Sequence, residues 1–178
     1  QRCVHGESEN SARVKIMKIL ASVTLLAAIH ASASADGWNY STSTDPMTGK
    51  PISTATLASY NTLNLDFPYK GENRGRLQVR RHPKHGLDVI FTIDKGQLMC
   101  DSYRGCSATL RFDDGKPMTF RGGESTDYDK TVMFLLDRRR FIEAARKAKL
   151  IRVQVTIYQA GDQVLEFNSS PPLSFATK

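Results

Sequence analysis

Two histidines lie close together in a short basic segment of the chain. His82 and His85 are flanked by Arg80, Arg81 and Lys84. A metal ion would have to bind there amid positive charge, and no further ligands stand at a suitable spacing. The segment also lacks the Gly-x-Ser-x-Gly pattern that presents a nucleophilic serine. We therefore interpret it as a solvated basic turn, with no metal site and no catalytic residue.

Paired carboxylates are the second arrangement that could do chemistry. Asp113 and Asp114 are adjacent, whereas glycoside hydrolysis needs two carboxyl groups at a defined separation across the bond to be cleaved. The following Gly115 favours a turn, in which the two side chains point apart. The stretch Thr48-Gly49-Lys50 lacks the other residues of a phosphate-binding loop. These motifs imply no cofactor, and they favour a protein without enzymatic activity.

The chain is basic, with 25 Lys and Arg against 18 Asp and Glu, a formal net charge of +7 and a pI near 9.5. This balance favours anionic partners such as an acidic envelope or secreted protein, a lipid head group or a glycan. Nucleic acid is not the expected partner, because the basic stretches lack interleaved aromatic residues that stack on bases. The candidate contacts are the cations of two clusters: Arg80, Arg81, Lys84, Arg138, Arg139 and Arg140.

The second cluster, Arg138 to Arg140, stands in the first turn of a predicted helix. The positive end of the helix dipole lies there, so each of the three cations is disfavoured by several tenths of a kcal/mol. Pairing with nearby carboxylates is one explanation, for which the sequence offers Asp127, Asp129 and Asp137. An anionic partner is the other explanation, and the sequence leaves both open.

The beginning of the chain has the order of a secretory signal peptide. Lys15 and Lys18 precede the apolar run from Ile19 to Ile29, and small residues follow up to Ala35. The run is shorter than the roughly 20 residues that span a bilayer, so we predict no transmembrane segment in the mature chain. We expect cleavage after Ala35, with Ala33 as the alternative site.

The predicted signal peptide divides the chain into three parts. Met17 is the expected start of the signal peptide, which covers residues 17–35, and we interpret residues 1–16 as upstream sequence. Residues 36–178 have the length of one globular domain. We predict that this single domain is periplasmic or secreted.

Cys100 and Cys106 are the two cysteines of the predicted mature chain. In an oxidising compartment this pair predicts a disulfide. Zinc binding is the alternative, but it requires four ligands and no histidine lies nearby. A disulfide over so short a loop stabilises the fold by about 2 kcal/mol, and we expect it to hold the tip of a hairpin.

Apolar and polar residues alternate along most of the predicted mature chain, which is typical of strands with one buried face. Turn residues at 94–96, 113–116 and 160–162 separate the runs and predict hairpins in a meander. We expect a mainly β, antiparallel, sandwich-like fold with one helix. The alternating apolar positions form four groups: Leu63, Leu65 and Phe67; Leu87, Val89, Phe91 and Ile93; Ala108, Leu110 and Phe112; and Ile151, Val153, Val155 and Ile157.

Residues 137–149 interrupt the alternation. Four apolar side chains recur there at helical spacing, without Gly or Pro, and predict an α-helix with Asp137 as its N-cap. The Ser/Thr-rich stretch from Asp36 predicts an edge strand or an ordered arm, anchored by Trp38 and Tyr40. We expect the C-terminal tail to be a loop with one short strand at 173–175.

Several short motifs occur together and carry a resemblance. They are Asp45-Pro46-Met47-Thr48-Gly49-Lys50, Phe67-Pro68-Tyr69, Lys95-Gly96-Gln97 ahead of the two cysteines, and Arg111-Phe112-Asp113-Asp114-Gly115-Lys116-Pro117. In this combination the chain resembles a group of small secreted or periplasmic proteins of Gram-negative bacteria and their phages. It is more distantly similar to the VasI family associated with type VI secretion and to the invasion-associated locus B proteins. The resemblance implies export and brings no catalytic residues.

The sequence thus favours an exported binding or accessory protein without catalytic activity. A narrower form of this hypothesis is an inhibitor or immunity protein that uses the Cys100–Cys106 loop as a plug. The alternative is a hydrolase of an envelope polymer, with a site built from scattered carboxylates. A hydrolase requires a deep pocket in which two acidic groups, or His82 and an acid, converge.

Overall fold

The computed structural model describes residues 37–101 and 105–177. The predicted upstream segment 1–16 and the predicted signal peptide 17–35 lie outside the described residues. No helix in the described part of the chain is both long enough and apolar enough to cross a membrane. The elements are β1 (Asn39–Thr44), β2 (Pro51–Ala58), β3 (Leu63–Leu65), β4 (Gly71–Asn73), β5 (Gly75–His82), β6 (Gly86–Ile93), β7 (Cys100–Asp101), β8 (Gly105–Phe112), β9 (Met118–Glu124), β10 (Val132–Leu135), α1 (Arg138–Ala145), β11 (Leu150–Ile157) and β12 (Gly161–Asn168).

Ten of these strands form one antiparallel sheet. Its order is β1-β2-β5-β6-β10-β9-β8-β11-β12, with β7 added on β8, and β3 pairs with β4 in a small second sheet. The large sheet curls over a single hydrophobic core. The amide of Tyr60, which follows β2, donates to the carbonyl of Glu166 on β12 at 3.0 Å, so the two ends of the sheet approach each other. The predicted mainly β, antiparallel fold with one helix is confirmed.

The strand connections differ from the predicted meander. Strands β8, β9 and β10 follow one another as neighbours, and β11 then returns to lie beside β8, which is the Greek key arrangement. Helix α1 lies in this returning connection. The turns at 113–116 and 160–162 do join paired strands, since β8 pairs with β9 and β11 with β12.

The predicted hairpin at residues 94–96 is wrong. Strand β6, which ends there, pairs with β5 and β10 and not with the strand that follows. The side chain of Asn73 fixes this segment instead, because it accepts a hydrogen bond from the amide of Lys95 at 3.0 Å and donates one to the Lys95 carbonyl at 2.5 Å. The chain after β6 is therefore held beside β4.

The alternation of apolar residues predicts the buried faces well in the longer strands. All four apolar positions of β11 belong to the core, as do Val89, Phe91 and Ile93 of β6. Phe67 is the exception, with 88% of its surface exposed. Strand β3 ends at Leu65, and a turn follows in which the amide of Tyr69 donates to the carbonyl of Asp66 at 2.9 Å, so Phe67 does not belong to the strand.

Helix α1 is shorter than predicted and ends at Ala145 instead of residue 149. The amides of Lys149 and Leu150 donate to Oδ1 of Asp113 at 2.9 Å, which draws the chain into β11. Asp137 occupies the N-cap position but makes no side-chain capping bond. Its carboxylate instead accepts hydrogen bonds from the amide and from Nη2 of Arg121, both at 3.0 Å.

The two ends of the described chain meet at one side of the sheet. Strand β1 forms the predicted edge strand, and Trp38 next to it is buried and donates from Nε1 to Oγ of Ser169 at 2.8 Å. The hydroxyl of Tyr40 accepts a hydrogen bond from the amide of Ser174 at 2.8 Å. The predicted strand at 173–175 does not form, although Leu173 and Phe175 are buried.

Candidate functional site

The first basic cluster is split by the geometry of strand β5. Arg80 and Arg81 are successive residues of this strand, so their side chains leave opposite faces. Arg80 donates from Nη2 to Oδ2 of Asp88 at 2.8 Å, across the β5–β6 pair. Arg81 instead donates to the carbonyl of Ala176 in the C-terminal tail at 3.1 Å. Lys84 is exposed in the turn between β5 and β6.

The second cluster also divides into different environments. Arg138 donates from Nη1 to the carbonyl of Leu87 at 2.9 Å and lies 3.9 Å from Oδ1 of Asp88. Arg140 packs over the ring of Phe120, with its guanidinium carbon 4.7 Å from the ring centroid. Arg139 is exposed. Asp88 and an aromatic face thus compensate Arg138 and Arg140.

The three carboxylates expected to pair with the helix arginines have other partners. Asp137 binds Arg121, which is the main reason that its pKa is lowered. Asp127 and Asp129 accept hydrogen bonds within their own loop, from the amides of Asp129 and Thr131 respectively. The expected pairing is therefore wrong for Asp127 and Asp129, and Asp137 forms its ion pair with Arg121.

Arg80 and Arg138 come together in a cleft of about 540 Å³ between β5, β6, β9, β10 and the start of α1, which we call the arginine cleft. Part of its lining is apolar and includes Phe134 and Leu136. The polar part of the lining consists of Thr126 and six titratable residues: Arg80, Arg138, His82, His85, Asp88 and Glu124.

A second cleft of about 590 Å³ adjoins the first, and we call it the helix cleft. It shares His85 and Arg138 with the arginine cleft and adds Arg139 and Arg146, with Glu143 as its carboxylate. Arg146 also donates from Nη2 to the carbonyl of Phe175 at 2.6 Å. Three of the six predicted contacts, Arg80, Arg138 and Arg139, therefore line two adjoining clefts, whereas Arg81, Lys84 and Arg140 do not line either.

Both carboxylates of the arginine cleft have cationic partners. Asp88 faces Arg80 and Arg138, and Glu124 forms an ion pair with Lys130 at 2.5 Å. Two guanidinium groups thus share the single carboxylate of Asp88, which leaves one positive charge in excess. Nε of Arg80 is buried and has no hydrogen-bond partner in the described part of the chain.

His82 lies beside an acid, as a hydrolase would require, but both of its ring nitrogens face protein atoms. Nε2 lies 3.7 Å from Oδ2 of Asp45, and Nδ1 accepts a hydrogen bond from the amide of Lys84 at 3.1 Å. The pKa of Asp45 is lowered, chiefly by a hydrogen bond from the amide of Met47. Among the described residues no serine, threonine or cysteine side chain forms a hydrogen bond with His82.

Cys100 and Cys106 form the predicted disulfide and are cross-strand partners on β7 and β8. Since the two sulfur atoms are bonded to each other, neither is a thiolate, and the zinc alternative does not hold. The tip of the loop, residues 102–104, lies outside the described residues. Its use as a plug stays a prediction.

Asp88, Phe134 and Leu136 are site residues that the charge pattern of the sequence does not reveal. The apolar run from Val132 to Leu136 has no alternation, unlike β11. This lack of alternation was the available signal, because a strand with apolar residues on both faces has two apolar surfaces to cover.

The comparisons with known proteins add no relative. No protein-family model matches the chain, and neither a curated protein nor a solved structure does. The resemblance to small secreted proteins, to the VasI family and to the invasion-associated locus B proteins stays a prediction.

Proposed function

We propose that this protein is an exported binding or accessory protein of the bacterial envelope that holds an anionic envelope component and catalyses no reaction. The observation that carries the proposal is the sharing of Asp88 by Arg80 and Arg138. It leaves one excess positive charge in a concave site. Arg139 adds a further exposed cation at the adjoining helix cleft.

Export is supported by the disulfide, because structural disulfides persist in oxidising compartments. The predicted signal peptide at 17–35 is the second argument. Intact mass of the protein recovered from cells tests both. We expect the mass of residues 36–178, with no thiol that can be alkylated. A mass that includes residues before Asp36 would argue against the predicted cleavage.

The choice of binding over hydrolysis rests on His82. A general base must reach the proton that it removes, and the two nitrogens of His82 face the Lys84 amide and the Asp45 carboxylate. The acids of the arginine cleft are each held by a cation.

The experiment is affinity capture of envelope components by the full chain with its disulfide intact. The test variant is Arg138→Glu with Arg139→Glu. The matched control is Lys70→Glu with Lys116→Glu, which makes the same change in net charge at two exposed positions away from the clefts.

The expected result is an anionic component that the wild type and the control variant capture and that the Arg138/Arg139 variant loses. Equal loss in both variants would mean that only the overall charge attracts the component, since screened surface charges act alike wherever they lie. That result would overturn the proposed site.

A further inference from the structure

Strand β10 exposes an apolar residue on the outer face of the sheet, away from the core. Met133 and Leu135 are buried in the core, and Phe134 between them leaves the opposite face. Phe134 is half-buried and does not belong to the core. Leu136, the next residue but one, is 46% exposed. The outer face therefore carries an apolar patch that the core does not explain.

On the outer face, the neighbouring strands place the nearly buried Ile90 and Gly123 beside Phe134. Phe134 pairs with Ile90 on β6 and with Gly123 on β9. Ile90 is only 6% exposed, although it also lies outside the core cluster. Gly123 has no side chain, and a Cβ atom there would lie 3.3 Å from Cδ2 of Leu136. The side chain of Leu136 thus lies against the backbone of Gly123 on the outer face.

The apolar patch and the excess positive charge line the same cavity. Phe134 and Leu136 share the arginine cleft with Arg80 and Arg138. The two arginines face one carboxylate, that of Asp88, and Glu124 is matched by Lys130. A ligand that fits this distribution carries one negative charge next to an apolar group.

We infer that the arginine cleft binds a small amphiphilic monoanion, with its anionic head group at Arg80 and Arg138 and its hydrocarbon chain along Phe134 and Leu136. The inference rests on the proposed function, since it names the ligand class of the same site. The volume of about 540 Å³ lies within the range of small-molecule sites. The ligand is a free molecule and not a bilayer surface, because the apolar wall lines a concave cleft.

The test is calorimetric titration of the full, disulfide-bonded chain with decanoate below its micellar concentration. Acetate carries the charge without the chain, and decanol carries the chain without the charge. We expect decanoate to bind at least about tenfold more tightly than either, since acetate has no hydrocarbon chain to bury and decanol has no charge to pair with the two arginines. Equal affinity for decanoate and acetate, or for decanoate and decanol, would overturn the inference.

Two variants separate the contributions of the head group and the chain. Leu136→Ser should weaken decanoate binding by at least about threefold and leave acetate binding unchanged. Arg138→Gln should weaken the binding of both anions. Val164→Ser and Lys116→Gln likewise replace an aliphatic and a cationic side chain by polar ones, at exposed positions outside the cleft, and should leave both affinities unchanged. Unfolding curves of all four variants identify any that fail to fold.

The outcomes also distinguish this inference from the proposed function. If the Arg138 and Arg139 variant loses the captured envelope component while decanoate binds no better than acetate, the inference fails and the proposed function stands. If neither capture nor titration depends on Arg138, both fail. Binding to phosphatidylglycerol vesicles without binding of free decanoate would replace the inferred ligand with a membrane surface.

Discussion

Nη1 of Arg138 lies 3.9 Å from Oδ1 of Asp88, so the first turn of helix α1 is joined to strand β6 by an ion pair. The other oxygen of this nearly buried carboxylate accepts the 2.8 Å hydrogen bond from Arg80 on β5. A single carboxylate therefore fixes three elements of the fold and also sets the charge of the arginine cleft.

Replacing the Asp88 carboxylate should lower the stability of the protein and raise its affinity for an anionic ligand. Asp88→Asn leaves two guanidinium groups without their counter-charge, and we expect the free energy of unfolding to fall by about 1–3 kcal/mol. The same change removes a negative charge from the cleft, so the affinity for decanoate should rise. Urea unfolding and calorimetric titration measure the two effects.

Asp114→Asn is the matched control for this substitution. Asp114 is fully exposed, and its nearest cation is Nη2 of Arg111 at 3.8 Å. Exposed pairs contribute little to stability, so both the unfolding free energy and the affinity should stay unchanged. A similar loss of stability in the two variants would contradict the role assigned to Asp88.

Two adjacent glycines of β9 should respond very differently to the same substitution. A Cβ atom on Gly122 would lie 2.8 Å from Cβ of Cys106 and 2.7 Å from Sδ of Met133, within the core. We expect Gly122→Ala to lower the free energy of unfolding by about 1–3 kcal/mol, as overpacking does. Gly123 points to the outer face, where the flexible, exposed Leu136 yields, so Gly123→Ala should change stability by less than about 0.5 kcal/mol.

Urea denaturation of the two variants checks this prediction within one experiment. The two positions share the same strand and the same substitution, so differences in strand propensity cancel between them. Equal losses would mean that the outer face at Gly123 is as tightly packed as the core and that Leu136 does not yield.

The sequence predicted well what depends on local patterns. The alternation of β11 and the apolar spacing of α1 identify their buried faces correctly, because one element and one core suffice to determine them. The pairing of β6 with β10 could not be found in this way. It joins segments that are distant in the chain, and the turn residues at 94–96 carry the same local signal whether or not a hairpin follows.

For the candidate site, too, the sequence predicted only what a local property determines. Charge alone identified Arg80, Arg138 and Arg139 as candidates, but it could not tell them from Arg81 and Arg140. That distinction depends on which face of β5 is used and on the Greek key connection that brings α1 to β6. Neither is a property of a short stretch of sequence.

The hydrogen bond from Trp38 to Ser169 should contribute to the free energy of unfolding. Ser169 is fully buried, so Trp38→Phe leaves its hydroxyl without this donor, and we expect a loss of about 1–3 kcal/mol in unfolding free energy. Tyr40→Phe is the control on the neighbouring strand, where the hydroxyl that accepts from Ser174 is exposed. Its loss should be about 1 kcal/mol or less. Thermal or urea unfolding compares them, and a larger effect at Tyr40 would contradict the prediction.

Asp45 should make the stability of the protein depend on acid pH. The amide of Met47 donates to Oδ1 of Asp45 at 2.8 Å and is the main cause of the lowered pKa of this carboxyl group, while the charge of His82 contributes least. The folded state therefore binds a proton less readily than the unfolded state, in which the pKa is about 3.9. The resulting stabilisation is present above about pH 4 and is lost as the pH falls through the folded-state pKa.

Urea unfolding between about pH 7 and pH 3 should thus show a wild type more stable than Asp45→Asn at neutral pH and a difference that shrinks in acid. The difference should persist in a His82→Gln background, because the amide hydrogen bonds remain; its disappearance there would assign the effect to His82 instead.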